Sequence, residues 1–118
     1  MPFKNILKEL VERTPGAVSA IMVDWEGEAV QEYCHGDPHE IRCIAAHVGI
    51  ILNRFKELHS AGQGGEIEDV VMTARDAHLV AGCIDPDYSL VLRVNRNCPV
   101  SLALRPFRAA IEELRGLV

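Results

Sequence analysis

Three strand-like segments follow one another in the second half of the chain, with only two or three residues between them. The segments are EIEDVVMTA (66–74), AHLVAGCI (77–84) and YSLVLRVN (88–95), and they are rich in the β-branched and aliphatic residues that strands favour. Arg75-Asp76 and Asp85-Pro86-Asp87 supply the turns between them. This part of the chain therefore predicts a three-stranded antiparallel meander.

A further pair of strands is predicted nearer the N-terminus. The segments AVSAIMVD (17–24) and EAVQEYCH (28–35) show partial alternation of apolar and polar residues on either side of a short turn. Gly27 lies in that turn and can adopt the positive φ that a tight turn often needs. We therefore expect an antiparallel hairpin, which brings the number of strands to five.

Helical patterns occur at both ends of the chain. From Phe3, apolar residues recur at the i, i+3, i+4 spacing of one helical face until about Thr14, where Pro15 disfavours a helical conformation. The tail from residue 98 to residue 118 has a similar pattern. Pro106 lies within it and must either kink the helix or mark its first turn.

A long central helix is predicted between the hairpin and the meander. Asp37 is the expected N-cap, Pro38 the first helical residue, and Glu40 is placed to complete a capping-box-like pair. Gly62 is the expected C-terminal cap. The element order is then α-β-β-α-β-β-β-α, which predicts one α+β domain over residues 1–118, with helices on the faces of a five-stranded antiparallel sheet.

Composition narrows the classes of partner. Aromatic residues make up only 5% of the 118 residues, so the core is expected to be aliphatic. The formal net charge of −5 argues against a surface for nucleic acid or anionic membranes, which requires clustered Lys and Arg. The chain lacks a long apolar run, and its four cysteines form no C-x-x-C pair. We expect a cytoplasmic protein, without membrane insertion, whose partners are proteins.

The central helix carries apolar residues on two sides. Ile50 lies almost opposite the side expected to cover the sheet, with the small residues Ala46 and Cys43 near it. One exposed isoleucine is ordinary on a protein surface, whereas a self-complementary patch would allow a second copy to pair by two-fold symmetry. The residues expected to cover the sheet are Ile41, Ile44, Ala45, Val48, Ile51, Leu52 and Phe55. The candidate dimer interface is Cys43, Ala46, His47 and Ile50, with Val70 and Met72 of a possible edge strand.

No catalytic, cofactor or metal site is predicted. Cys34, His35, His39 and Cys43 have side chains that zinc can bind, but Cys34 precedes the capped start of the helix, so their convergence is not assured. The segment GQGGE (62–66) lacks the Lys-Ser/Thr of a phosphate-binding loop. Cys83 and Cys98 also have no partner base that the sequence indicates. We therefore expect no metal, no cofactor and no enzymatic activity.

Charged residues near the end of the chain and in the third strand have simpler interpretations. Glu112 and Glu113 lie at helical spacing from Arg108 and Arg115, which predicts ion pairs along one solvated helix face. Asp69, at the start of a possible edge strand, is expected to oppose indiscriminate edge pairing.

Several of these segments resemble the roadblock/dynein light chain family. The resemblance rests on PGAVSAIMVDWEGEAV, with Gly-Ala before the first strand and an Asp-x-x-Gly turn after it, on AHLVAGCIDPDYSLVLRVN and on IEELR, and it covers essentially the whole chain. It implies a roadblock (profilin-like) fold, with the first and last helices on one face of the sheet and the central helix on the other. It also implies homodimers or heterodimers that pair through the central helix and the third strand.

The same resemblance implies a function. Small prokaryotic members of the family partner Ras-like GTPases, so we expect a non-catalytic homodimeric module that binds such a GTPase and modulates its cycle, as activator or scaffold. Carried over by position, the GTPase would contact the exposed side of the central helices near His47, Arg54 and Glu57. The alternative is a structural adaptor, similar to a motor light chain, that binds another roadblock-like chain or other partner regardless of nucleotide state.

Trp25, the only tryptophan, leaves two alternatives. It packs against the first or last helix at the end of the sheet, or it stays exposed as an aromatic anchor for a partner, because tryptophan is enriched at interface hot spots. Arg42, Arg54 and Arg75 are candidates for an arginine finger, although an ordinary solvated arginine is the simpler interpretation of each.

Overall fold

The elements of the computed structural model follow the predicted order. It describes residues 2–60 and 67–118, except the side chains of residues 58–60, so the predicted cap at Gly62 lies outside the described residues. Among these residues, no helix combines the length and apolar character needed to cross a bilayer. The elements are α1 (Pro2–Arg13), β1 (Ala17–Asp24), β2 (Ala29–Cys34), α2 (Pro38–Ser60), β3 (Asp69–Thr73), β4 (Ala77–Asp85), β5 (Tyr88–Asn95) and α3 (Ser101–Arg115).

The five strands form one antiparallel sheet in the order β2-β1-β5-β4-β3. Alternate residues of β5 face opposite sides: Leu90 and Leu92 pack in a core with α1 and α3, whereas Val91 packs in a second core with α2. The sheet therefore lies between α1 and α3 on one face and α2 on the other, as predicted. β2 and β3 are its two edges.

The start of α2 is capped as the sequence predicts, but only in part. The Asp37 carboxylate accepts a hydrogen bond from the backbone N–H of His39 at 2.9 Å, which confirms the N-cap. The predicted return bond from Glu40 to the backbone of Asp37 is wrong, because the Glu40 carboxylate accepts a hydrogen bond from the Arg93 guanidinium of β5. A charged donor gives a stronger bond than a backbone amide.

α3 continues through its proline and sends one arginine to the sheet. Pro106 is inside the helix and past its first turn, so the interpretation of Pro106 as a first-turn residue is wrong. Arg108 donates two hydrogen bonds, of 2.8 and 3.3 Å, to the Asp69 carboxylate of β3 and does not follow the predicted pairing along its own helix. Arg115 does so, with Glu112 at 2.6 Å. Arg108 thus ties the edge strand to α3.

The β2 edge carries a local hydrogen bond of its own. The backbone N–H of His35 bonds to the carbonyl of Val18 on β1. In an antiparallel ladder, residues whose backbone groups bond to the neighbouring strand alternate with residues whose backbone groups point away from it. Glu32 is three residues before His35, so its backbone N–H points away from β1. That N–H donates to the side-chain oxygen of the adjacent Gln31 at 3.1 Å.

Candidate protein-interaction surface

A shallow apolar depression lies between the second half of α2 and β3. Ile51 and Phe55 were expected to be in the core, but they are 41% and 42% exposed, so that prediction is wrong for these two residues. The reason is the size of the sheet: β3 has five residues and is the edge strand among the described residues. The second half of α2 therefore extends beyond the part of the sheet that it covers. The residues that line the depression are Val48, Ile51, Leu52, Phe55, Val70, Met72 and Ala81.

The predicted interface residues of α2 lie along an outward strip. Ile50 is 60% exposed, and Cys43 and His47 are also exposed. His47 Nδ1 lies 2.8 Å from the carbonyl oxygen of Cys43. Because a carbonyl can only accept, Nδ1 is the donor, and this bond orients the imidazole along the helix. Ala46 is half-buried on the same helix.

The two predicted interface residues of β3 lie on the side of the sheet that faces α2. Val70 pairs in register with Ala81, and Met72 pairs with Leu79. All four belong to, or pack against, the core beneath α2, and Val70 and Met72 are only half-buried. The fold thus places the predicted residues of α2 and β3 on one side of the molecule, where their role in a dimer stays a prediction.

The predicted partner-binding residues of α2 lie on its solvent side. Arg54 and Glu57 are exposed and form an i, i+3 pair at 3.5 Å. Arg42, by contrast, is engaged with Glu32 of β2 through Nε at 2.7 Å and a second short hydrogen bond. The Glu32 carboxylate raises the pKa of Arg42. Arg75 is exposed in the β3–β4 turn, so Arg54 and Arg75 are the more accessible of the three candidates.

Trp25 is at the tip of the β1–β2 hairpin and is 59% exposed. Packing against the first or last helix is therefore wrong, and the exposed alternative describes the free protein. The hairpin tip instead approaches α2: a Cβ atom built on Gly27 would lie 3.3 Å from the Cα of Ala46. The small size of both residues thus serves a contact within the chain.

The four residues with zinc-compatible side chains have different neighbours. The Cys34 thiol donates to the carbonyl of Gly36 at 3.5 Å, and His35 Nε2 lies 3.1 Å from the Glu12 carboxylate of α1. Only His39 and Cys43 face each other, with Nε2 and Sγ 3.5 Å apart. Within residues 2–60 and 67–118, no three His, Cys, Asp or Glu side chains are arranged to hold a metal ion.

Glu12 connects α1 to the β2 edge. Its carboxylate accepts a short hydrogen bond from the Tyr33 hydroxyl as well as the contact with His35. The Tyr33 bond is the main cause that lowers the pKa of Glu12, and the same bond raises the pKa of Tyr33. The sequence contains no local signal for this cluster, because 21 residues separate Glu12 from Tyr33.

Solved structures with the same arrangement of elements have low sequence identity to this chain. The Roadblock/LC7 domain from Streptomyces avermitilis matches with a TM-score of 0.85 and 17% identity, over 97% of this chain and 95% of that chain. The fold is that of a Roadblock/LC7 domain. No protein-family profile matches the sequence, and no curated protein matches it.

Other structures share the Roadblock/LC7 fold of this chain. The gliding protein MglB from Thermus thermophilus has a TM-score of 0.85 and 18% identity, over 98% of this chain and 87% of that chain. A structure of MglB with a tetrameric arrangement has a TM-score of 0.84 and 18% identity, over 97% and 85%. Profilin IB of Acanthamoeba castellanii matches at a TM-score of 0.66 and 9% identity, over 98% of each chain. The predicted roadblock, profilin-like fold is confirmed.

Proposed function

We propose that this chain is a non-catalytic, homodimeric regulatory module that binds a Ras-like small GTPase and modulates its GTPase cycle. The observation that carries the proposal is the uncovered apolar surface of α2, where Ile51 and Phe55 remain exposed beside β3 and Ile50 is exposed on the outward strip. The resemblance to the roadblock/dynein light chain family, and the fold shared with the gliding protein MglB, support a GTPase as partner.

The dimer forms by pairing α2 with α2 and one β3 edge with the other. Burying a large aliphatic side chain contributes about 1.5–3 kcal/mol, and two-fold symmetry counts each residue twice. Ile50 and the half-buried Val70 and Met72 supply the apolar centre, and Cys43, Ala46 and His47 form its border. The existence of an MglB structure with a tetrameric arrangement supports assembly of several copies through this fold.

The GTPase binds the exposed side of the paired helices, near His47, Arg54 and Glu57. A partner that contacts the switch segments of a GTPase can favour one of their conformations without contributing a catalytic group. Arg54 is the candidate if a catalytic arginine is required, because Arg42 is engaged with Glu32 and Arg75 lies in the β3–β4 turn and not on α2. The chain then acts through the active site of its partner and has none of its own.

The test compares Ile50→Asp with a matched substitution elsewhere. Leu102→Asp is the control, because Leu102 is 52% exposed at the start of α3, on the other face of the sheet. We expect Ile50→Asp to be a folded monomer by light scattering and circular dichroism, and Leu102→Asp to keep the mass of the unaltered protein. A dimeric Ile50→Asp protein would contradict the proposed interface.

The partner is tested by retention from a lysate of the source cell on immobilised protein. GDP or a non-hydrolysable GTP analogue is added, and the retained proteins are identified. With the GTP analogue, we expect the unaltered protein and the Leu102→Asp variant to retain a small GTPase. The Ile50→Asp variant should not retain it. Retention of the same partners with both nucleotides, without a GTPase, would instead establish the adaptor function.

A further inference from the structure

The tip of the β1–β2 hairpin exposes the one tryptophan of the chain. Tryptophan buries up to about 250 Å² when it is enclosed, and Trp25 remains 59% exposed. A large exposed aromatic side chain is typical of residues that dominate protein interfaces. The neighbouring contacts indicate which kind of partner fits it.

The turn is held in one conformation before any partner binds. The Asp24 carboxylate accepts hydrogen bonds from the backbone N–H groups of Glu26 and Glu28 at 2.9 and 3.0 Å. The backbone of Asp24 also bonds to Gly27 and Glu28, each at 3.0 Å, and Gly27 has a φ of +84°. These bonds fix the backbone on both sides of Trp25, so binding requires little further ordering of the main chain.

The hairpin tip borders the proposed binding surface on α2. Gly27 lies against the backbone of Ala46, and the next residue of the helix, His47, belongs to the proposed GTPase surface. A GTPase that contacts His47 therefore comes close to the hairpin tip as well.

The charge of the turn is negative and is not neutralised locally. Residues 24–32 contain four carboxylates and no Lys or Arg. Glu32 is paired with Arg42, whereas Glu26 and Glu28 are exposed and have no ion pair within the described part of the chain. Such a field favours a positively charged partner surface and disfavours a second copy of this acidic chain.

We propose that this turn is a preformed docking element for the GTPase, in which Trp25 enters an apolar cleft and Glu26 and Glu28 pair with Lys or Arg side chains at its border. The inference rests on the proposed function and adds the chemistry of the partner. The GTPase must then have an apolar cleft for Trp25 next to its contact with α2, and Lys or Arg side chains must surround that cleft.

The first test uses the GTPase that the unaltered protein retains in the presence of the GTP analogue. It measures the affinity of that GTPase for the unaltered chain and for its variants. Trp25→Ala should weaken binding about 30-fold or more, as expected for a hot-spot residue, and should leave the dimer mass unchanged. Leu102→Ala is the matched control at an exposed apolar position outside the site, and its affinity should stay within about twofold. An equal affinity for Trp25→Ala overturns the inference and leaves the proposed function intact.

The charge is tested by the Glu26→Lys/Glu28→Lys double variant. The rate at which the double variant associates with the GTPase should be about tenfold lower at low salt, and it should depend much less on salt concentration. Complementary charges act mainly on the encounter of two proteins. Glu113→Lys, on the exposed side of α3, is the control and should change the rate little. An unchanged rate for the double variant contradicts the basic border.

A label on Trp25 tests contact directly. The chain contains one tryptophan, so incorporation of 5-fluorotryptophan gives a single fluorine NMR signal. That signal should shift when the GTPase with the GTP analogue is added, and it should not shift when the free protein is diluted through its dimer-to-monomer transition. An unshifted signal in a complex of confirmed stoichiometry overturns the inference. If the unaltered protein retains no GTPase, the inference and the proposed function both fail.

Discussion

Gly82 in β4 lies where a side chain has no room. A Cβ atom at this position would be 3.0 Å from the carbonyl oxygen of Glu68 and 3.0 and 3.3 Å from two ring atoms of Phe107. Neither neighbour moves easily, because one is backbone and the Phe107 ring is fully buried in the core beneath α3. We therefore expect Gly82→Ala to destabilise the fold.

The size of the effect follows from two opposing contributions. Overpacking a core costs about 1–3 kcal/mol, whereas replacing glycine by alanine otherwise stabilises by about 0.4–1 kcal/mol through the unfolded chain. Because neither neighbour moves easily, the upper part of the overpacking range applies, and the net loss is about 1–2 kcal/mol. A chain of 118 residues unfolds with an entropy of about 250 cal/mol/K, so Tm should fall by about 4–8 °C.

Thermal unfolding followed by circular dichroism, at one protein concentration, measures this shift. Gly49→Ala is the matched control, because its Cβ would meet only a methyl carbon of Val23, at an ordinary 4.0 Å. Gly49 is inside α2, where alanine is favoured by about 1 kcal/mol. The same substitution should therefore raise Tm by about 4 °C at Gly49 and lower it at Gly82.

A double-mutant cycle with Phe107→Leu tests the cause. Leucine lacks the ring atoms that Gly82→Ala would approach, so the alanine should cost at least about 0.5 kcal/mol less in that background. A rise in Tm for Gly82→Ala, or a cost that is the same in both backgrounds, would refute the steric explanation.

Three other substitutions have expected outcomes. Pro106→Ala should raise the free energy of unfolding by about 2 kcal/mol, because it restores a helical N–H inside α3; a lower Tm in thermal unfolding would contradict this. Tyr33→Phe should lower Tm at pH 6, because the Tyr33 hydroxyl lowers the pKa of Glu12 from its ordinary 4.5; this stabilisation is fully present above that value and is lost as pH falls through the lowered pKa of the folded protein. A difference in Tm that does not shrink as pH is lowered would argue against the carboxylate as its cause. Arg108→Ala should speed hydrogen exchange in β3, because Asp69 loses its tie to α3, and unchanged exchange there would show that the pair does not hold the edge.

Local periodicity and turn residues predicted the elements and their order, whereas the side of the sheet on which each helix lies was implied by the resemblance to the roadblock/dynein light chain family. The sequence predicted the exposure of Phe55 and Ile51 wrongly for a physical reason. Helical spacing shows which side of a helix faces a sheet, but not how far the sheet extends beneath it. The sequence predicted a strand segment over residues 66–74, whereas β3 spans only Asp69–Thr73. The acidic residues at the start of that segment were the available signal that it is shorter.

Side-chain partners that are distant in sequence were the least predictable part. Local spacing predicts a capping box for Glu40 and a pair within its own helix for Arg108, yet each pairs with a residue on a strand, 53 and 39 positions away. Such pairs exist only once the sheet has formed. The sequence also leaves the exposure of Trp25 open. It places this one tryptophan in the turn between two strands, but it does not show whether a helix packs against that turn.

The hydrogen bond from the Glu32 backbone to the Gln31 side chain makes the two ends of the sheet unequal. A strand added at β2 would have to displace this bond before forming its own, and open edges are the usual template for uncontrolled growth of sheets. At β3 the Asp69 carboxylate is turned towards α3 instead. The two edges of the sheet therefore differ: a strand added at β2 must first break this bond, which favours β3 as the edge for pairing if copies of the chain join through the sheet.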